Sequence, residues 1–377
     1  MTRLQSRPLR LAAAGLTLVV LGACGGPNPD SESHGAVNET TTTTVAKGPD
    51  TTAAQLRSRL NGLLQEHVYL AAAVAGSRGR ADESAAAQAA LDGNTEALAA
   101  NMTAIFTGPD AAVATQFAEL WKAGVAQNAG SIGSMFSSAL PGLSPEAVSG
   151  PLSAAEQAVG NGTNFSALRG AASQMATLAS NLSRAIHQKY PDKVGGDPAS
   201  KAADLLTNLN AGLQEHVFLT AAATNAALGG RSDEFTGAKA AIDANSGALT
   251  EMIADVYGAD AGTAFAPLWK KHIDFLVDYT NAVVAKQQPK ADEAMANLLA
   301  YTGEFGAFIN TASPKLTKDA VAELIKTHAL TLKDVIDAQA AKNFAKAYGN
   351  LRTAADHMAM IATPLATTIV AQFPDKF

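Results

Sequence analysis

An internal repeat runs through most of this chain and constrains its fold more than any other feature. The segment LQEHVYLAAAVA (64–75) has a counterpart in LQEHVFLTAAATNAAL (213–228). Four further pairs follow in the same order: 90–98 with 241–249, FAELWK (117–122) with FAPLWK (265–270), 168–179 with 351–362, and YPDKV (190–194) with FPDKF (373–377). The pattern predicts a tandem duplication, with a first copy at 54–195 and a second at 196–377.

Both copies are predicted to be helical. Alanine is abundant, aromatic residues make up only 6% of the chain, and apolar residues recur at helical spacing. We therefore expect an all-α protein of two tandem antiparallel helical bundles. Proline and glycine breaks divide the second copy into six helices, at 200–228, 232–257, 262–287, 290–311, 317–340 and 342–371.

The first copy is shorter than the second. The stretch from Trp121 to Leu168 is shorter than its counterpart, Trp269 to Leu351, by about one helix. Helix signals fade in the Ser- and Gly-rich segment 130–142. We therefore expect the first copy to have lost one helix, the fourth.

The N-terminal sequence is typical of an export signal. Three arginines precede an apolar stretch at 11–21, which is too short for a membrane span. The following Leu21-Gly22-Ala23-Cys24 resembles the lipobox of bacterial lipoproteins. The resemblance implies a signal peptide at 1–23, a lipid on Cys24 and attachment to the extracytoplasmic face of the cell membrane. An ordinary secretory signal is the alternative. Residues 24–53 are rich in Gly, Pro, Ser and Thr and predict a disordered tether.

Charge and motifs exclude several functions. The formal net charge is −6, and removing residues 1–23 also removes three arginines. No Lys/Arg cluster is present, so nucleic acid is not an expected partner. Cys24 is the only cysteine, which excludes a disulfide framework and a thiolate metal site. No GxSxG, HExxH or phosphate-binding loop occurs, so we expect a protein that is not an enzyme.

Four histidines of the second copy are the candidate functional residues. At 100° per residue, His216, His272 and His328 fall in the middle of the apolar stripes of their helices. His357 lies off the stripe of the last helix, where Met358 points inward. If the helices alternate in direction, all four histidines lie at one depth of the bundle.

Three buried imidazoles need partners, because an unpaired buried polar ring is costly. A transition metal is one solution, copper ahead of zinc, with His357 or Met358 completing the site. Haem binding through two histidines is another. A polar network through Glu215 and Tyr279 and a solvent-filled ligand pocket are the remaining alternatives. The first copy keeps only His67 of the four.

The second copy resembles a group of secreted, all-helical bacterial proteins that sometimes carry copper-related labels. The resemblance rests on Glu215-His216, LWKKHIDFLVDY (268–279), THALTL (327–332) and DHMAM (356–360). It implies a metal-binding role for the histidines. The alternative is a structural lipoprotein whose surfaces bind another envelope protein.

Overall fold

The computed structural model describes residues 48–160 and 162–377, which are all-α, with no strand among them. The first copy contains α1 (Thr52–Gly76), α2 (Ala81–Ile105), α3 (Ala111–Lys122), α4 (Val125–Ala139), α5 (Glu146–Val159) and α6 (Phe165–Lys189). The second contains α7 (Lys201–Leu228), α8 (Ser232–Tyr257), α9 (Ala259–Val284), α10 (Gln288–Ala312), α11 (Lys318–Ala340) and α12 (Phe344–Gln372). The predicted signal peptide, Cys24 and most of the predicted tether lie outside the described residues.

The six helices expected in the second copy are present, each close to its predicted limits. Local chemistry sets their ends. The hydroxyl of Thr317 accepts a hydrogen bond from the N–H of Ala320, which begins α11. Lys286 and Lys342 end α9 and α11 in the left-handed conformation, each with φ of 56°.

The prediction that the first copy has lost its fourth helix is wrong. Both copies contain six α-helices within the described part of the chain. The Ser- and Gly-rich segment after Trp121 forms α4, because Ile132 and Phe136 bury one face of it. The first copy is shorter because α3, α4 and α5 have 12, 15 and 14 residues, against 26, 25 and 23 in α9, α10 and α11.

Gly124 marks where the shortened copy departs from the longer one. It lies between α3 and α4 with φ of 117°, a conformation that favours glycine. In the second copy the equivalent position is His272, inside the unbroken α9. One replacement therefore coincides both with the end of the helix and with the loss of a histidine.

The two copies pack together within one compact unit. Helix α1 of the first copy lies against its counterpart α7 in the second. The flanking contacts are reciprocal, because α12 packs on α2 and α6 packs on α8. Among the described residues, no helix is long and apolar enough to cross a membrane.

Candidate functional site

Three of the four histidines meet inside the second bundle. His216 on α7, His272 on α9 and His328 on α11 are 0%, 5% and 6% exposed. The ring centre of His216 lies 5.1 Å from that of His272 and 5.9 Å from that of His328. Trp269, one turn before His272, packs edge-on against both His216 and His272. The helical periodicity thus located a real cluster.

Few polar atoms of the cluster have a hydrogen-bond partner. Nε2 of His272 and Nε2 of His216 lie 3.3 Å apart, so that one neutral ring, with its proton on Nε2, donates to the unprotonated Nε2 of the other. Nδ1 of His216 and Nδ1 of His328 have no hydrogen-bond partner in the described chain. Nδ1 of His272 has no such partner either, although the backbone of Trp269 acts to raise the pKa of this ring. Each unpaired buried group costs about 1–3 kcal/mol.

All three imidazoles are neutral at physiological pH. Burial, together with the neighbouring histidines, lowers the pKa of His272 and of His328 to about 3. Burial also takes the pKa of His216 well below its ordinary value of 6.5. No carboxylate lies in the cluster to offset the loss of hydration. These rings therefore serve as uncharged aromatic groups.

The histidines border a cavity of about 170 Å³ that runs between the helices of the second bundle. Its wall is almost entirely apolar. The aromatic rings that line it belong to Phe265, Trp269, Tyr301 and Phe305, and the thioether belongs to Met358. Aliphatic side chains from α7, α8, α10, α11 and α12 complete it: Leu209, Leu213, Leu249, Ile253, Ile309, Val321, Leu324, Ile325, Ile361 and Leu365.

The ring of His357 lies outside the cavity that the other three histidines border. Its Nε2 lies 3.1 Å from the carbonyl oxygen of Leu324, on the neighbouring helix, and the ring does not border the cavity. The adjacent Met358 is 1% exposed and lines the cavity wall. His357 thus lies off the inward face of α12, as its position on the helix predicts, and its ring contacts the backbone of the neighbouring helix. The inward direction of Met358 is as expected.

Neither of the two predicted supporting residues contacts the histidine cluster. Tyr279 donates a 2.5 Å hydrogen bond to Asp337, which also pairs with Lys333. Glu215 turns away from the bundle interior and accepts from Asn245, Arg169 and Tyr69. The network through Glu215 and Tyr279 that would pair the imidazoles is therefore not formed.

Glu215 instead belongs to a polar contact between the copies. Arg169 of the first copy pairs with Glu215 of the second, with Nε and Oε2 3.2 Å apart. Arg352 of the second copy pairs in turn with Glu66 of the first, with Nε and Oε1 2.7 Å apart. In each copy an asparagine on the next helix binds the same carboxylate: Asn94 binds Glu66 and Asn245 binds Glu215. Sequence reasoning missed this reciprocal network.

The first copy uses its one retained histidine differently. Nε2 of His67 lies 3.3 Å from Oε1 of Glu156 on α5, and the ring packs edge-on against Trp121. The position of the second histidine is taken by Gly124. A carboxylate therefore faces His67, where His216 faces two further imidazoles. The cluster of three imidazoles belongs to the second bundle.

Two of the bound groups expected for the histidines fit the cluster poorly: a metal ion held by three or more side chains, and a haem. Within the described residues, no group of three or more His, Cys, Asp or Glu side chains is arranged to hold a metal ion. A metal-ligating imidazole also usually donates its other N–H to an acceptor, and here those nitrogens lack one. The cavity is close in volume to one of about 150 Å³ that holds benzene. A haem is several times larger than benzene.

Comparisons with known proteins give no relative. No family model, no curated protein and no solved structure matches this chain.

Proposed function

We propose that this protein binds a small apolar molecule in the cavity of its second bundle. The cavity itself is the observation that carries the proposal. A well-packed core contains few voids larger than a water molecule, and an empty one costs stability. A space of about 170 Å³ among buried aromatic and aliphatic side chains resembles a ligand site more than a packing defect.

The wall chemistry favours an apolar ligand over water. A water molecule needs two to four polar partners, and this wall presents almost none. Nδ1 of each histidine in the cluster is fully buried, and Nε2 of His216 and Nε2 of His272 face each other, so few ring nitrogens are left to supply such partners. The imidazoles contribute their ring edges and faces, as Trp269 and Tyr301 do.

Titration with benzene and with hexane, followed by calorimetry, tests the proposal. Val321→Phe fills the cavity wall and is expected to weaken both ligands by at least tenfold. Val284→Phe is the matched control, since Val284 is 50% exposed and lies outside the cavity. Absence of binding by the native protein, or equal binding by Val321→Phe, would overturn the proposal.

A second candidate is capture of a copper ion by His216 and His272. Two ligands held about 2.0–2.1 Å from one tetrahedral ion lie roughly 3.3–3.4 Å apart, and the two Nε2 atoms are 3.3 Å apart. Both rings are neutral, as ligation requires. The thioether of Met358 borders the same cavity, and this donor set suits Cu(I) better than zinc.

Titration with Cu(I) and with Zn(II) separates this candidate from the first. His272→Phe is expected to abolish stoichiometric binding, whereas His357→Phe, which removes a ring outside the cluster, leaves it intact. A native protein that holds neither metal, or an equal loss in both variants, excludes the copper site. The apolar-ligand proposal is untouched by that result.

The location that fits either candidate is the outer face of the cell membrane, with the chain held by a lipid on Cys24. The lipobox-like sequence before Cys24 supports this. Metabolic labelling with a radioactive fatty acid tests it. Label in the native chain and its loss in Cys24→Ser are expected, and equal label in both would contradict the anchor.

A further inference from the structure

The cavity is long and narrow. Its lining residues recur at successive turns of the surrounding helices: 209, 213 and 216 on α7, 301, 305 and 309 on α10, 321, 325 and 328 on α11, and 358, 361 and 365 on α12. Tyr301 and Ile309 are eight positions apart on α10, which corresponds to a length of ~12 Å along the bundle axis. The cavity therefore follows the helices instead of forming a round chamber.

Its cross-section admits one hydrocarbon chain. A volume of about 170 Å³ spread over that length leaves a mean cross-section of roughly 14 Å². A line of carbon atoms in contact with its surroundings at about 4 Å needs roughly 13 Å². The volume itself suits about six carbons, as the comparison with benzene indicates.

One end is closed and the other reaches the surface. The closed end is the histidine layer, where His216, Tyr301 and Met358 are at most 1% exposed. At the other end Ala320 is exposed, and Leu316 and Pro364 are partly so. These residues belong to the start of α11 and the second half of α12. A ligand that enters here has its tip against the imidazoles and its outer end in water.

The charge around this opening favours an anionic outer end. Lys315 and Lys318 are exposed: Lys315 directly precedes the lining residue Leu316, and Lys318 lies two residues before Ala320. Asp319, directly before Ala320, is the one acid in the segment 315–320, which therefore carries a net positive charge. The side chain of Lys318 lies over Gly303 of α10, so a carboxylate at the end of the chain would lie closer to Lys315.

On the basis of the proposed function, we infer that the ligand is a single straight alkyl chain of about six to eight carbons that ends in a carboxylate. The chain enters between α11 and α12 beside Ala320, and its methyl end reaches the layer of His216, His272 and His328. The neutral imidazoles close the site without placing a charge against the hydrocarbon.

Calorimetric titration of the full chain, carrying Cys24→Ser so that no lipid is attached, tests this with butanoate, hexanoate, octanoate and decanoate. Affinity is expected to rise about fourfold per added methylene and to level off near octanoate. Cyclohexylacetate has the same number of carbons as octanoate, and we expect it to bind at least tenfold more weakly. A flat series, or equal affinity for the ring compound, would overturn the inference.

Variants at the opening locate the path of entry. Ala320→Trp is expected to weaken octanoate at least tenfold, while Ala307→Trp, at an exposed alanine of α10 that does not line the cavity, leaves it unchanged. Equal effects of the two variants would contradict the assigned opening.

Two further ligands act as controls. Benzene tests the proposed function independently of chain length, and an octanoyl ester tests whether the carboxylate is free. Benzene binding without the chain-length series would overturn the inference and leave the proposed function standing, whereas no binding of any probe would remove both. Monooctanoyl phosphatidylcholine carries the same chain as an ester. Binding at least tenfold weaker than that of octanoate supports a free carboxylate, and tighter binding would contradict it.

Discussion

At the scale of single residues, the histidine cluster exchanges hydration for aromatic packing. His216 contacts His272 and Trp269 edge-on, and His272 stacks on Tyr301 with ring centres 5.6 Å apart. A charged imidazolium could not occupy this position without a partner. The folded protein therefore binds fewer protons at these rings than the unfolded chain does.

This difference predicts that acid destabilises the protein. The folded pKa of His272 and of His328 is about 3, against an ordinary value of 6.5. Their contribution is complete above pH 6.5 and is lost as the pH falls from 6.5 towards 3. Each histidine is expected to lower the free energy of unfolding by about 2 kcal/mol between pH 6.5 and 5.

Denaturant unfolding at several pH values checks this with His328→Phe as the comparison. The variant is expected to show a pH dependence smaller by about one proton between pH 4 and 6. Other titrating groups cancel in the difference between the two proteins. Parallel curves for the native protein and the variant would contradict the account of the neutral cluster.

At the scale of helices, close backbone contact fixes the helices around the cavity. A Cβ atom at Gly306 of α10 would overlap the backbone carbonyl of Lys318, at the start of α11. The two helices meet here without a side chain between them. This contact lies one residue along α10 from Phe305, which lines the cavity.

Gly306→Ala is therefore expected to destabilise the protein by about 1–3 kcal/mol, because α10 and α11 must move apart. Gly349→Ala is the matched control, since the equivalent Cβ in α12 meets no atom within 4 Å. The control should gain about 0.5–1 kcal/mol from improved helix propensity. Thermal and denaturant unfolding measure both, and equal effects would show that the close contact does not hold.

Sequence periodicity predicted these helices to different degrees. In the second copy, breaks such as Gly229-Gly230 and Pro289 marked helix ends correctly, because proline and glycine act locally. In the first copy, α4 was missed because its Ser and Gly residues have weak helix propensity. Burial of Ile132 and Phe136 overrides that propensity, and burial depends on neighbours distant in sequence.

The site was likewise predictable only where local sequence determines it. The apolar stripes predicted that His216, His272 and His328 lie together, because the angle of a residue around the helix axis follows from its position in the sequence. The cavity could not be predicted from the sequence. It exists because more than a dozen side chains from different helices leave part of the space between them unfilled. The direction of His357 depends on the neighbouring carbonyl of Leu324.

At the scale of the whole molecule, reciprocal ion pairs join the two halves of the repeat. Glu66 is 1% exposed and receives Arg352 from the other copy, and Glu215 receives Arg169 in the same way. Burial raises the pKa of Glu66 and the guanidinium of Arg352 opposes that change. The repeat itself held the signal, because both copies keep the glutamate, the arginine and the asparagine that binds it.

Arg352→Ala is expected to cost about 3 kcal/mol, since it leaves a buried carboxylate without its partner. Lys270→Ala removes an ion pair to Asp274 whose side chains are 70% and 53% exposed. That control should change stability by roughly 0.5 kcal/mol or less. Denaturant unfolding compares the two. A negligible effect of Arg352→Ala would show that the copies are held together by other contacts.

The most direct test of the central claim is a crystal structure under xenon pressure. Xenon enters dry apolar cavities and not filled or hydrated ones. We expect one strong xenon peak in the second bundle, bounded by Leu213, Phe305 and Ile325. Ordered water in that space, or continuous side-chain density with no xenon, would contradict the claim that this protein carries an apolar binding site.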